Sequence, residues 1–116
     1  MISLFWRIWR WLRRRRSLKH CRTVESMTAV PENLGADLYV VRRQGLDRRA
    51  VLACPCRCGR RIDLSLMKAD RPHWSFVRNH GTVTLTPSIW LCADPCGSHF
   101  FIRDNRIVWV KSRSLR

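Results

Sequence analysis

Cys54-Pro55-Cys56-Arg57-Cys58-Gly59 is the stretch on which the fold turns, and Cys92-Ala93-Asp94-Pro95-Cys96-Gly97-Ser98-His99 is its counterpart. Between Cys58 and Cys96 lie 37 residues. Thiolate and imidazole are the donors that Zn²⁺ prefers, and structural zinc sites take four of them in a tetrahedron, commonly from two separated clusters. Pro55 stiffens the entry to the first turn, and Gly59 permits a left-handed backbone just after a candidate ligand. The spacing therefore predicts the two jaws of one zinc site. Cys58 and Cys96 are each followed by glycine, as ligands on tight turns are, and His99 stands three residues beyond Cys96. Cys54 and Cys56 compete for the fourth place. A knuckle lengthened by one residue favours Cys54, yet in an extended chain both sulfurs share one face and Cys56 could replace it. Buried thiols or disulfides are the plainer reading, but such dense spacing in a reducing compartment argues for metal.

The chain has 116 residues, room for one small domain whose core a metal cross-link would help to hold. Lys and Arg total 23 against 8 acids, for a formal net charge of +15. Residues 1–22 carry 8 of the basic residues and no acid. This concentrated cation calls for an anionic partner: membrane phosphates, nucleic acid or an acidic protein.

Met1 to Leu12 alternates apolar residues with Arg7 and Arg10, and Arg13 to Arg16 follow. On a helix, Ser3, Arg7, Arg10 and Arg14 form one stripe, opposite Ile2, Phe5, Trp9 and Leu12. Half of the six tryptophans lie here. The pattern predicts an amphipathic Arg/Trp helix that either lies in a bilayer interface or packs its Trp face on protein. Twelve helical residues reach about 18 Å, short of a ~30 Å hydrocarbon core, so the segment does not span. The basic residues follow the apolar run instead of preceding it, unlike a secretory signal. The expected location is cytoplasmic, with residues 1–16 able to hold the protein peripherally at the inner face of a membrane.

Residues 17–34 show no clear period, and Cys21 reads as a lone thiol. The boundary between the arm (1–22) and a zinc-binding β domain (30–110) is set near Pro31. Leu38–Val41, Ala50–Ala53, Ile62–Leu66, His73–Val77, Thr82–Thr86, Phe100–Arg103 and Arg106–Val110 read as strands, from β-branched content and alternation. Asn79-His80-Gly81 and Asp104-Asn105 read as hairpin turns, and 111–116 as a basic tail. The expected fold is mostly β: a small zinc-stapled, zinc-ribbon-like domain of hairpins behind an N-terminal amphipathic helix.

Cys54-Pro-Cys-x-Cys-Gly, a Ser/Thr-rich hairpin after Trp74, Pro87-Ser88-Ile89-Trp90, Cys96-Gly-Ser-His-Phe-Phe-Ile-Arg103 and Ile107-Val-Trp109 together resemble a group of small bacterial proteins. That family is classed as a domain of unknown function thought to bind zinc. The resemblance runs from Val51 to Trp109 and carries over Cys54, Cys56, Cys58, Cys96 and His99. Members are sometimes encoded beside ubiquitin-like modifiers and their activating-type enzymes, which implies an accessory role in bacterial ubiquitin-like conjugation. The favoured expectation is thus a zinc-stabilised interaction module with a protein partner.

A basic zinc module could instead bind nucleic acid through Arg42, Arg43, Arg48, Arg49, Arg57, Arg60 and Arg61, with aromatic rings stacking on bases. An enzyme would need an open metal position with a base, or a nucleophile. Asp63, Asp94, His73 and His80 are polar candidates, each with a simpler reading as a surface or turn residue. Cys56 beside Arg57 could be a low-pKa nucleophile. The His-x-Glu motif of zinc deaminases, P-loops and dinucleotide fingerprints are absent. Excess sulfur closes a zinc site more readily than it opens one, so the sequence leans away from catalysis.

Overall fold

The computed structural model describes residues 8, 9 and 12–110. The expected N-terminal helix falls largely outside the described residues, as does the tail at 111–116. Eight strands form two sheets of four. The first contains β1 (Cys21–Val24), β2 (Leu38–Arg43), β3 (Leu46–Ala53) and β4 (Arg61–Ser65), in that spatial order. The second contains β5 (Ser75–Asn79), β6 (Thr82–Trp90), β7 (His99–Arg103) and β8 (Arg106–Trp109), again in chain order. Every pairing is antiparallel except β1 with β2.

Short-range chemistry explains the order. Gln44-Gly45, His80-Gly81 and Asp104-Asn105 all hold both central residues at positive φ. That is the mark of the two-residue loops whose twist matches the flanking strands, so β2–β3, β5–β6 and β7–β8 close as tight hairpins. The cysteine turns make the other two antiparallel connections: Cys54–Arg60 joins β3 to β4, and Leu91–Ser98 joins β6 to β7.

Alternation then builds the core. Leu38, Val40, Ala50, Leu52, Ile62 and Leu64 face inward from the first sheet, and Val83, Leu85, Ile89, Phe100, Ile102 and Ile107 from the second, in one buried cluster. A smaller cluster of Val30, Leu34, Val41 and Val51 covers the back of the first sheet with the segment after β1. Among the described residues the back of the second sheet has no such cover: Val77, Trp90 and Val108 are exposed there. Phe100, fully buried against Trp109 at a centroid distance of 5.4 Å, is the largest side chain in the core. Truncating such a ring costs about 3–5 kcal/mol. Phe100→Ala should therefore remove most of the stability of so small a domain, read as a lowered or lost thermal transition.

Residues 15–24 stitch the sheets together, although no periodicity announced them. Ile107 N–H donates to Arg16 O (2.9 Å) and Leu18 N–H to Asn105 O (2.7 Å), which caps the β8 edge. The same strand then runs into β1 beside β2, with the Leu18 side chain in the core. Its burial is brief, half-buried only at Cys21 toward the main core and at Val24 toward the back cluster, too short a pattern to read. Among the described residues, no helix is long and apolar enough to cross a membrane.

Candidate functional site

Two constellations stand out, one at the sheet junction and one on the uncovered face. At the junction, Cys54, Cys56, Cys58 and Cys96 bring their sulfurs within 4.8 Å of one another, a group that could hold a metal ion. The first three come from the β3–β4 turn and the fourth from the β6–β7 turn, so the cluster ties one sheet to the other. Cys54 Sγ lies 3.4 Å from Cys56 Sγ and 4.0 Å from Cys96 Sγ. Sulfurs at the corners of a tetrahedron of about 2.3 Å bonds stand about 3.8 Å apart, so the donor set fits a tetrathiolate centre.

The turns are built for this convergence. Arg57 N–H donates to Cys54 O and Cys54 N–H to Arg60 O, both at 2.9 Å, while Arg57 and Gly59 adopt positive φ. Gly97 N–H closes the second turn on Asp94 O at 3.0 Å. Burial pushes the Cys54 and Cys58 thiols up. Burial also works to raise Cys96, but hydrogen bonds from the Ser98 hydroxyl and backbone N–H and from neighbouring thiols bring it down to about 7.

His99, expected to join the cysteines, is placed elsewhere. Ser98 is buried, with its hydroxyl 3.5 Å from Cys54 Sγ, and the next residue of an extended strand faces the other way. The His99 ring therefore lies on the outer face of the second sheet, with Nε2 2.9 Å from Ser88 Oγ. Cys21 and Cys92 remain free thiols outside the cluster.

The Ser88–His99 pair follows from register. Leu85 pairs with Ile102 and Ile89 with Phe100, so Thr86, Pro87 and Ser88 stand opposite Phe101 alone. This bulge lifts Ser88 out of the regular ladder, a device that re-aims side chains beside active sites. Trp90 pairs directly with His99, and Ser88, two residues earlier on the same face, is its diagonal neighbour. The Trp90 indole stacks on the imidazole at 5.1 Å with an interplanar angle of 19°. Trp74 Nε1–H donates to Ser88 O at 3.2 Å and holds the bulge from the β5 side. Serine and histidine are both half-buried, whereas Trp90 is 61% exposed. A hydroxyl within hydrogen-bond reach of an oriented imidazole is the minimal arrangement of an activated oxygen nucleophile.

The other polar candidates have structural partners. Asp63 pairs with Arg49 at 2.6 Å and Asp94 with Arg60 at 2.7 Å. His73 Nδ1 lies 3.0 Å from Asp70 O, and His80 occupies a hairpin turn at positive φ. Sequence reasoning did not single out Ser88. Its only signal was the alternation Ser88, Trp90 opposite His99, which needs the strand register to become visible.

Fold and site thus define a small two-sheet β protein with a four-cysteine cluster able to hold a metal and a Ser–His pair on its open face. The family model for the bacterial ubiquitination-like system serine protease, BubE, matches residues 25–110, and the chain belongs to that family. The matched span contains all four clustered cysteines, Ser88 and His99. No curated protein and no solved structure matches the chain.

Proposed function

We propose that the protein is a serine peptidase of a bacterial ubiquitination-like system, with Ser88 as nucleophile and His99 as general base. Its substrate would be the peptide or isopeptide bond at the C-terminus of a ubiquitin-like modifier. The observation that carries this reading is the 2.9 Å contact between Ser88 Oγ and His99 Nε2 on an accessible sheet face. With the imidazole protonated at Nδ1, Nε2 accepts the Ser88 proton as Oγ attacks the scissile carbonyl. The protonated imidazole then gives that proton to the leaving amine as the C–N bond breaks, leaving an ester on Ser88. Water, deprotonated by the same nitrogen, attacks the ester, and the proton returns to Ser88 Oγ. Trp90, stacked on the ring, fixes its plane, the orienting task that a carboxylate performs in a triad.

The last β5–β6 pair is Ser75 with Thr86, so residues 87–90 of β6 continue past the end of β5. An extended peptide that added to that half-edge would replace the Trp74 indole at the Ser88 carbonyl as it ran past Ser88, the mode by which strand edges bind tails. The cysteine cluster takes the supporting role: Cys54, Cys56, Cys58 and Cys96 hold a structural Zn²⁺, whose four protein ligands leave no position for substrate.

A fluorophosphonate probe tests the reading without a known substrate. It should attach covalently to the wild-type protein at the peptide carrying Ser88, and Ser88→Ala should abolish the mass shift. Labelling of Ser98 or of a cysteine instead, with Ser88 untouched, would overturn the assignment. Ser98 serves as an internal control, because it is buried against Cys54.

A further inference from the structure

A cavity of about 350 Å³ opens beside the cysteine knuckle, and arginines supply most of the charged groups in its wall. Arg13, Arg15, Arg57, Arg60 and Arg61 line it, with Glu32 as the only acidic lining residue. Asp94 neutralises Arg60 through the 2.7 Å pair. Five guanidinium groups against two carboxylates leave an excess of three positive charges around one small space.

The Arg15 Nε–H is buried and has no hydrogen-bond partner. A buried donor left unmade is costly, and native structures rarely keep one. The Arg15 main chain is pinned beside the knuckle. Its N–H donates to Pro55 O (2.7 Å), and its carbonyl accepts from Trp109 Nε1 (3.1 Å). The neighbouring Arg14 guanidinium lies over the Trp109 ring at 4.3 Å. Burial and then the Arg57 charge hold the Arg15 guanidinium below its ordinary value. Arginine keeps its proton, so an anion is what relieves this strain.

We infer that this cavity is a binding site for a phosphate-type oxyanion, with the Arg15 and Arg57 guanidinium groups as its principal donors. A monocarboxylate brings one charge and two acceptor atoms. A phosphate monoester or inorganic phosphate brings up to two charges and at least three acceptors, closer to the excess of three and to the forked geometry of arginine. The site is independent of the Ser88 reading, since it uses none of the same residues. Its phosphate could come from a soluble compound or from a lipid headgroup, because Arg13 continues directly from the apolar segment that includes Trp9.

The experiment is ¹⁵N–¹H spectroscopy of arginine Nε–H groups, with the full zinc-loaded chain titrated with inorganic phosphate at constant ionic strength. The Arg15 signal should shift and saturate, while sodium acetate should leave it in place. Arg57→Asn, chosen because asparagine tolerates the positive φ there, should weaken phosphate binding about tenfold while metal content stays unchanged. Arg103→Gln, on the second sheet, should leave affinity unaltered. Capture by phosphatidic acid vesicles, but not by phosphatidylglycerol vesicles of equal charge, would assign the lipid source. Phosphate binding without vesicle capture would assign the soluble one. An unmoved Arg15 signal, an equal response to acetate, or equal weakening by Arg103→Gln would overturn the site.

Discussion

Ser88→Ala should abolish hydrolysis of a ubiquitin-like modifier carrying a C-terminal extension, and His99→Gln should lower kcat by at least about a thousandfold. Both losses should appear in kcat and kcat/KM together, because neither residue's role depends on holding the substrate in its ground state. Ser88 and His99 lie half-buried on the outer face of the second sheet, away from the shared core, so both variants should fold, keep metal and melt as the wild type does. Trp90→Ala supplies the graded case. The indole touches His99 but is 61% exposed, so its loss costs little core packing. It should lower kcat by about tenfold to a hundredfold with KM nearly unchanged if its task is to hold the imidazole plane. A double variant Trp90→Ala/His99→Gln should then be no slower than His99→Gln alone, since a positioning residue has nothing left to position. Full turnover in Ser88→Ala would exclude the serine mechanism outright.

That chemistry was hidden from the sequence for a definite physical reason. Lone serines carry no signal, and Ser88 acquires one only through a three-against-one bulge opposite Phe101. His99 carried a strong but misleading signal, its separation of three residues from Cys96. Spacing shows how far a side chain can reach and not which face of the sheet it leaves from. Ser98, buried beside Cys54, takes the inward position, and strand alternation sends His99 out to Ser88.

Where local chemistry dictates structure, the sequence was legible. The left-handed pairs His80-Gly81 and Asp104-Asn105 close the hairpins expected of them, and Ile62/Leu64 and Val83/Leu85 alternate into the core as read. The convergence of Cys58 with Cys96 could be anticipated because sulfur clusters of this density have few other uses. Which of Cys54 and Cys56 would join them could not, since an extended Cys-Pro-Cys offers both on one face; the structure brings both in. β1 escaped notice because only Cys21 and Val24 are half-buried, and because its partner, β2, is reached through a parallel pairing across a long connection and not through a tight hairpin.

Purified protein should carry about one Zn²⁺ per chain, and Cys96→Ser should lose the metal and the cooperative thermal transition together. The reasoning starts from where the four sulfurs originate. Three belong to the β3–β4 turn of one sheet and the fourth to the β6–β7 turn of the other. A metal there is a cross-link between two small sheets whose shared core has Phe100 as its largest buried side chain. Structural zinc sites contribute on the order of 10 kcal/mol of apparent binding free energy at neutral pH, as much as the whole stability of a domain this size. Removing one of the four sulfur ligands weakens the hold on the ion, and once it is lost the remaining cysteines are neutral thiols that no longer tie the two turns together. Cys54→Ser should act like Cys96→Ser, whereas Cys21→Ser and Cys92→Ser, outside the cluster, should leave both metal content and melting unchanged. A strong chelator should reproduce the Cys96→Ser result on the wild-type chain, and added Zn²⁺ should reverse it. Catalysis should fall in step with folding in every one of these experiments. If the Cys96→Ser protein kept a full equivalent of zinc, the cross-sheet centre would be ruled out. If it lost the metal yet melted normally, the sheets would be held by their apolar contact alone.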